Sequence, residues 1–500
     1  MWRTIKNFVS YLWYVLSLDW FQFVSAVVDV FILVWSFFNW REVAFQPSLL
    51  LVFFGVFINF IWQIFNVAGH FSFLKEEDPR DPLMSMLKKG KDSKKDFSLI
   101  RADNELFLLK YPYETDYELG VLENPSVDNL LRNPEIRINP VLSETKRKET
   151  KTYVKQYKET LLKFLNHRWY EICKLGGIFT NDKKICLASE IFPDKDGTYK
   201  WRVTKGNYYC GYLTNFIYTQ YVGGSHYKLF PPVNMNTDPI KTLGDSDFSD
   251  HIGVSTLLYT SDGYVFVFRQ AGNAGYNANY YMPTGSGSMD FADFKEGEDL
   301  RQMVIRGAER ELAEESSLKK LMGEDIFESA LETSVIGYYR DMERGGKPEF
   351  CCVSRIDKIK EDVMEYIRPS EKEIANKSGI AFLMKDKEKW ENEILPEASL
   401  SLKMNYRYLE RVVGEEHDKL SRDRYLTSGI VLILSQVPFI EVKDKPRKAL
   451  YVNHNRHSTS YAYNLYANSQ TMVLLARSNN AAPFLIYGMD LTQGFSLDLR

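Results

Sequence analysis

The chain has 500 residues, of which 45% are hydrophobic and 26% are charged. This length gives room for two or three domains with full-sized cores, and the net charge of −3 excludes a bulk electrostatic attraction to nucleic acid or to an anionic membrane. The five cysteines are scattered without a CxxC pair, which excludes a disulfide framework and a cysteine-rich zinc site.

Two apolar segments, residues 20–40 and 48–69, lie near the N-terminus. Each is long enough to cross a bilayer as a helix, and tryptophans stand at both ends of the first segment, where membrane interfaces favour them. The link between the segments, residues 41–47, is short enough to force a hairpin. We therefore predict a two-helix transmembrane hairpin within residues 1–74 that contacts membrane lipid.

Basic residues lie on both sides of this predicted hairpin. Arg3 and Lys6 precede it, and a lysine-rich stretch over residues 88–95 follows it. Positive charge that flanks membrane helices marks their cytoplasmic side. We therefore predict a two-pass protein of the cell inner membrane with both termini in the cytoplasm.

Polar residues recur on one face of each apolar segment. An acid at membrane depth is costly unless it is paired or faces water. Two interpretations stay open. In the first, the two polar stripes bond each other within one hairpin and stabilise it by about 1–2 kcal/mol. In the second, they bond between copies of the chain and line a water-filled path. The residues concerned are Gln22, Ser25, Asp29 and Ser36 in the first segment and Asn59, Gln63 and Asn66 in the second.

The next part of the chain reads as a charged linker over residues 75–100, followed by an accessory α+β region over residues 101–249. A long helix is predicted from about Thr145 to Leu175, because two glycines follow it. Strands are predicted at Tyr199–Val203 and Tyr208–Ile217. No function follows from this region.

A sharper pattern begins at residue 252. Two strands are joined by the turn signal Ser261-Asp262-Gly263, and a glycine-rich loop follows over residues 282–289. An acidic helix comes next, and strands are predicted around Val335–Arg340 and Pro348–Ile356.

Three carboxylates lie close together on the acidic helix. Glu311, Glu314 and Glu315 are spaced i, i+3 and i+4, so they share one face. That face continues the apolar stripe formed by Leu300, Met303, Val304 and Gly307. Three repelling carboxylates on an inward stripe need a divalent cation, basic groups or water as compensation. The alternative is an ordinary solvated acidic helix end.

Residues 250–375 resemble the Nudix hydrolase fold. The string Arg310-Glu311-Leu312-Ala313-Glu314-Glu315 matches the REUxEE core of the Nudix signature, in which U is aliphatic. The resemblance implies that the three glutamates hold Mg²⁺ or Mn²⁺ against a substrate diphosphate. The rest of the signature departs from the family, since Gln302 and Ser317 replace an expected Glu and Gly. These departures argue against an enzyme, whereas the glycine loop still favours nucleotide binding.

The resemblance extends to one group of Nudix proteins. Two apolar helices followed by a nonstandard Nudix domain with the string PTGSGSMDF are similar to the membrane Nudix effectors of CBASS antiphage operons, the SMODS-associated Nudix proteins. The resemblance implies a cyclic oligonucleotide ligand made by a CD-NTase. It also implies self-association into oligomers that disrupt the inner membrane and cause abortive infection.

The sequence therefore predicts an N-terminal two-helix transmembrane hairpin plus a cytoplasmic α+β region that contains a Nudix-like α/β/α sandwich. A C-terminal extension, residues 376–500, is expected to pack on the Nudix-like domain. Within it, a helix that begins at Met404 is expected to cover the pocket.

Candidate ligand residues lie around the glycine loop. An arginine and a glutamine close the second strand, and a segment of amide and aromatic residues that precedes the loop suits base stacking and hydrogen bonding. The alternative for that segment is an ordinary polar surface loop. Two further cations flank a later turn and suit phosphates. The candidates are Arg269, Gln270, Tyr276, Asn277, Asn279, Gly285, Gly287, Arg340 and Lys347.

Three functions stay open at this point. The first is a sensor-effector that binds a cyclic nucleotide and assembles its hairpins in the membrane. The second is a membrane-tethered, metal-dependent Nudix pyrophosphohydrolase of nucleoside diphosphate derivatives. The third is a structural scaffold, which leaves the inward acids of the predicted helix unexplained.

Overall fold

The protein divides into two compact units, Met1–Tyr408 and Leu409–Arg500. In the second unit, strands β14 (Met472–Ala476) and β15 (Phe484–Met489) form an antiparallel pair. The computed structural model describes residues 2–18, 20–40, 43, 46–70, 113–116, 118–174, 179–218, 240–270, 279–367, 380–414, 472–476 and 484–489. The predicted charged linker over residues 75–100 lies outside these ranges.

Three helices begin the chain: α1 (Trp2–Ser17), α2 (Trp20–Phe38) and α3 (Pro47–His70). α1 packs in the accessory region, where the Tyr11 ring stacks on Trp169 with centroids 4.7 Å apart. This packing was not expected from the sequence, which had placed the N-terminus beside a membrane anchor.

The polar residues of α2 and α3 bond each other within the chain. Asn59 Nδ2 donates to Asp29 Oδ2 at 2.7 Å, and Gln63 Nε2 donates to Ser25 Oγ at the same distance. The Asp29 side chain is 6% exposed. The structure therefore has the pairing that one of the two open interpretations predicted. The side chain of Asn66 lies outside the described residues.

The predictions of a transmembrane hairpin and of a two-pass inner membrane protein are wrong. Among the residues that the structure describes, no helix combines the length and the apolar character needed to cross a membrane. The polar residues that the sequence analysis singled out along α2 and α3 interrupt the apolar surface of both helices.

The accessory region forms a four-stranded sheet in the order β3-β6-β4, with β5 paired to β6. β6 is parallel to β3 and antiparallel to β4 and β5. The bounds of its strands are β3 (Ile138–Leu142), β4 (Lys183–Leu187), β5 (Phe192–Pro193) and β6 (Tyr199–Asn207). Its helices are α4 (Pro125–Arg132), α5 (Thr145–Gln156), α6 (Lys158–Lys174) and α7 (Tyr208–Gly211), with a π-helical turn over Tyr212–Phe216.

Two predicted elements of this region differ in the structure. The long predicted helix is two helices, because Tyr157 leaves the helical conformation with ψ at 17°. The strand predicted over Tyr208–Ile217 is helical. Asn207 caps it by accepting a hydrogen bond from Cys210 N at 3.0 Å, and Thr214 donates to the Cys210 carbonyl at 2.7 Å.

The main sheet has nine strands in the order β1-β2-β11-β12-β7-β8-β13, with β10 on β7 and β9 on β8. It is mixed, because β12 and β7 are parallel and the remaining pairs are antiparallel. The bounds are β1 (Glu114–Asp116), β2 (Val121–Glu123), β7 (Gly253–Thr260), β8 (Tyr264–Arg269), β9 (Tyr281–Met282), β10 (Gly285–Ser288), β11 (Leu331–Asp341), β12 (Lys347–Ile356) and β13 (Ile380–Leu383).

One long helix, α8 (Leu300–Ser316), lies on this sheet. Asp299 caps it by accepting from Arg301 N at 2.9 Å. It ends at Ser317, which has a left-handed φ of 60°. The other helices around the sheet are α9 (Leu318–Met322), α10 (Glu324–Ala330), α11 (Lys360–Tyr366) and α12 (Lys387–Lys389). Single turns lie at Phe291–Asp293, Met342–Arg344, Trp390–Ile394 and Leu395–Glu397, and a further helix begins at residue 400.

The two sheets share one hydrophobic core. Met303 and Val304 of α8 pack in the same buried cluster as Trp201 of β6 and Phe350 of β12. The Trp201 and Phe350 rings meet edge to face with centroids 5.6 Å apart. The accessory sheet is therefore fixed against the face of the molecule that carries the acidic helix.

Candidate functional site

The glycine loop predicted from the sequence is the short strand β10, and it lies directly on α8. A Cβ at Gly285 would come within 2.6 Å of the Leu312 backbone. A Cβ at Gly287 would come within 2.4 Å of the Glu311 carboxylate. A side chain at Gly285 would clash with the helix backbone and one at Gly287 would displace a carboxylate, so the two glycines let the strand lie directly against α8.

The three predicted acids of α8 differ in their surroundings. Glu311 is buried, and its Oε1 accepts from Arg310 at 2.9 Å. Glu315 Oε2 accepts from the Ser286 backbone N–H at 2.8 Å. The Glu314 side chain is 57% exposed and lies 3.3 Å from Arg310. The inward acidic stripe therefore includes Glu311, while Glu314 faces solvent.

Arg310 joins the helix to the turn that follows β10. Its guanidinium donates to Asp293 Oδ2 at 3.0 Å and lies 3.8 Å from Asp290. Burial acts to lower the pKa of Arg310, but the hydrogen bond to Asp293 and the neighbouring charge of Glu311 raise it above its ordinary value. Arg310 is therefore a permanent cation at this site.

A second cation comes from the accessory sheet. Lys184 Nζ donates to Asp290 Oδ1 at 2.5 Å and to the Ser288 carbonyl at 3.0 Å. Sequence reasoning missed this residue, because more than a hundred positions separate it from the acids and no local motif marks it. Lys184 lies near the start of β4, and the packing of the two sheets brings its partly buried side chain to the acids.

The pKa of Glu311 differs from the ordinary value of a glutamate. Burial raises its pKa to about 7, while the charges of Arg310 and Lys184 act to lower it. Burial is the larger effect. The carboxyl group of Glu311 therefore exchanges its proton near neutral pH.

Three predicted ligand residues come together at the end of β8. Arg269 Nε donates to the Asn279 carbonyl at 3.2 Å, and its guanidinium lies 5.2 Å from the centre of the Tyr281 ring. The backbone N–H of Gln270 donates to the Tyr280 carbonyl at 2.9 Å. Predicted residues Tyr276 and Asn277 lie outside the described residues.

The other two predicted cations have internal partners. Arg340 is fully buried, and it donates to Glu190 Oε1 at 3.0 Å and to the Gly346 carbonyl at 2.8 Å. Lys347 is 1% exposed and forms an ion pair with Glu349. Neither side chain is open to a phosphate in this structure, and sequence alone gave no sign of their burial.

Comparisons with known proteins concern about a third of the chain. No family model matches the sequence, and no curated protein matches it. Similar solved structures are the DR0079 protein of Deinococcus radiodurans, the MutT protein of Methanosarcina mazei and a Nudix hydrolase of Alicyclobacillus acidocaldarius. Their identities are 14%, 14% and 11%, and their TM-scores are 0.22, 0.21 and 0.22. They cover 31%, 32% and 30% of this chain and 81%, 93% and 89% of their own.

At these identities and TM-scores the likeness assigns neither a fold nor an activity to this chain. We use the term Nudix-like region for residues 250–383, which contain the mixed sheet from β7 to β13 and the REUxEE helix α8.

The Nudix-like region does not form a three-carboxylate metal centre in this arrangement. Among the described residues, no group of three Asp, Glu, His or Cys side chains is placed to hold a metal ion. Glu311 is engaged by Arg310 and Glu315 by a backbone N–H, whereas Mg²⁺ and Mn²⁺ require several converging oxygen atoms. The assignment of Glu311, Glu314 and Glu315 as metal ligands stays a prediction.

Proposed function

We propose that the Nudix-like region is a receptor that binds a cyclic oligonucleotide without hydrolysing it. The observation that supports this function is the engagement of the acids by internal partners. Arg310 binds Glu311, and the Ser286 N–H binds Glu315. A Nudix hydrolase needs those oxygen atoms for the divalent cations that neutralise its substrate diphosphate. The replacements at Gln302 and Ser317 agree with a loss of turnover.

The group at the end of β8 has the chemistry of a nucleotide contact. The Arg269 side chain is 40% exposed and pairs with Glu397, whose side chain is 58% exposed. Such a solvated pair contributes little and can be exchanged for a phosphate. The ring of Tyr281 beneath the guanidinium offers a surface on which a base can stack.

Self-association is part of the proposal. α2 and α3 expose large apolar side chains, including Phe31 at 75%, Phe38 at 79% and Leu51 at 76%. Contiguous exposed apolar surface marks interaction sites in proteins, and we assign it to a second copy of the chain. The ligand must bind the assembled form more tightly than the free form, since otherwise it shifts no equilibrium. The resemblance to CBASS effectors makes a CD-NTase the source of the ligand.

The test is calorimetric titration of the full chain with a panel of cyclic di- and trinucleotides, followed by chromatography of the recovered ligand. We expect saturable heat with one ligand, intact ligand afterwards, and a larger particle by light scattering. Arg269→Ala should weaken binding about tenfold or more, as expected for the loss of a charged phosphate contact. Cleaved ligand, or no heat across the panel, contradicts the proposal.

A matched control exists for Arg269. Arg202 lies 5.2 Å from the Phe192 ring, the same distance at which Arg269 lies from Tyr281, but it belongs to the accessory sheet. Arg202→Ala should therefore leave the affinity unchanged. Equal losses in both variants would indicate a general effect of positive charge rather than a site.

A second candidate is a metal-dependent pyrophosphohydrolase of nucleoside diphosphate derivatives. The pKa of Glu311, raised by burial to about 7, favours it, because general acids and bases work best near the operating pH. The intact REUxEE string favours it as well. With Mg²⁺ present, the protein should then release phosphate or a nucleoside monophosphate, and Glu311→Gln should abolish the release.

A further inference from the structure

Lys184 of the accessory sheet contacts the Nudix-like region. β4 runs beside the chain that leaves β10, where Ile185 N donates to the Met289 carbonyl at 3.2 Å and Lys184 forms a bridge with Asp290. The Lys184 side chain is 11% exposed. The ammonium group is therefore held in place by the fold rather than attached to a mobile surface residue.

The oxygen atoms that Lys184 contacts are of the kind that a hard cation selects. Its Nζ binds a carboxylate oxygen of Asp290 at 2.5 Å and the carbonyl oxygen of Ser288 at 3.0 Å. Mg²⁺ and Mn²⁺ prefer carboxylate, carbonyl and water oxygens. An ammonium with three donors satisfies two such atoms at once.

Lys184 acts together with Arg310. Both cations approach Asp290, Lys184 at 2.5 Å and Arg310 at 3.8 Å. Arg310 also holds Asp293 and Glu311. A divalent cation entering this group would meet two fixed positive charges a few ångströms away, and like charges at that distance repel strongly in a partly buried site.

We propose that Lys184 is a built-in counter-ion that takes the place of a divalent cation in the Nudix-like region. The accessory sheet neutralises Asp290 from outside the fold, and Arg310 neutralises the acids from within. The site is therefore stable without metal and excludes Mg²⁺ and Mn²⁺. This property concerns metal binding and is separate from nucleotide binding.

The test uses Mn²⁺ alone with the full chain, measured by the loss of the free-ion signal in electron paramagnetic resonance. The wild-type protein should show no saturable site at the acids. Lys184→Met removes the charge at similar side-chain volume. It should create a saturable Mn²⁺ site, about tenfold or more tighter than the residual weak binding of wild type, because the Asp290 carboxylate and the Ser288 carbonyl are released. Lys184→Arg keeps the cation and should behave as wild type.

A matched control removes a different lysine of the accessory sheet, one that does not contact the site. Lys200 forms an ion pair with Asp194 on the same sheet, and its side chain is 36% exposed. Lys200→Met should bind Mn²⁺ as weakly as wild type. Should Lys184→Met fail to fold by circular dichroism, Lys184→Gln keeps a donor for the Ser288 carbonyl and serves in its place.

Two results would overturn the proposal. One is saturable Mn²⁺ binding by the wild-type protein that Glu311→Gln removes, a result that needs no lysine variant. The other is a folded Lys184→Met or Lys184→Gln protein that gains no Mn²⁺ affinity. Neither measurement involves a nucleotide, so a failure here is distinguishable from a failure of the receptor function.

Discussion

Gly287 lies so close to Glu311 that a Cβ on the glycine would come within 2.4 Å of the carboxylate carbon and of both its oxygens. The two residues belong to β10 and α8, the elements that the sequence pattern had linked as glycine loop and acidic helix. The contact buries the carboxyl group against a strand backbone. It thereby produces the desolvation that raises the pKa of Glu311 to about 7.

The two glycines of β10 should differ in their tolerance of alanine. Gly285→Ala places a methyl group 2.6 Å from the Leu312 backbone, which cannot move without shifting α8, so we expect a loss of about 3 kcal/mol in the free energy of unfolding. Gly287→Ala meets the end of a flexible side chain and should cost about 1 kcal/mol. Urea denaturation measures both. Gly244→Ala, with its nearest atom at 4.0 Å, should stay within about 0.5 kcal/mol of wild type.

The stability of the protein should depend on pH through Glu311. Its folded pKa is raised from 4.5 to about 7, so its contribution is fully present below 4.5 and is lost as the pH rises through 7. The loss amounts to about 3 kcal/mol at most. Glu311→Gln should remove this dependence when unfolding is measured at about pH 5 and about pH 8.

The exposed neighbour on the same helix provides the control for that measurement. The Glu314 side chain is 57% exposed, so Glu314→Gln should keep the pH dependence of the wild-type protein. A Glu311→Gln protein whose stability still falls between the two pH values by the wild-type amount would show that another group is responsible.

Sequence reasoning succeeded where the signal is local. The order of strand pair, glycine loop and acidic helix was confirmed by β7, β8, β10 and α8, because helical and strand periodicity and turn residues act over a few positions. Ser317, which the sequence analysis counted as a departure from the resembled signature, adopts a left-handed φ of 60°, a conformation that glycine favours.

Sequence reasoning failed where partners are distant or where context overrides pattern. The sequence analysis predicted that Arg340 binds a phosphate. Its actual partner, Glu190, is 150 positions away in the chain, so no local pattern indicates the pair. No sequence motif marks Lys184 as part of the site. Residues 20–40 and 48–69 were predicted as membrane spans from local hydropathy, which gives no information on how the neighbouring helix α1 packs in the accessory region.

The buried pair of Glu190 and Arg340 should be a major source of stability across the two sheets. Glu190 also accepts from Tyr113 Oη at 2.7 Å and from Leu243 N at 3.0 Å. Glu190→Gln leaves the fully buried guanidinium without its counter-charge, and we expect a loss of about 3–5 kcal/mol in urea denaturation. Asp194→Asn, in a partly exposed pair of the accessory sheet, should leave the free energy of unfolding nearly unchanged. Comparable small losses in both variants would argue against a structural role for Arg340.

The bond between Asn59 and Asp29 should hold α2 and α3 together. Asn59→Ala removes the 2.7 Å hydrogen bond and leaves a carboxylate that is 6% exposed without this donor. We expect a cost of about 1–3 kcal/mol and faster amide hydrogen exchange in both helices, measured by mass spectrometry. Asn39→Ala removes an exposed side-chain bond to the carbonyl of Trp35 on α2 and should leave exchange in α3 unchanged.

This experiment also separates the two interpretations of the polar stripes. If the polar stripes instead bond between copies of the chain, Asn59→Ala should lower the particle mass measured by light scattering. Amide hydrogen exchange in α2 and α3 of a single chain should then stay unaltered. Because the structure gives Asp29 and Ser25 partners on α3 of the same chain, we expect the exchange to change and the particle mass to stay the same. The self-association that we propose would then depend on the exposed apolar side chains, such as Phe31 and Leu51, rather than on the polar ones.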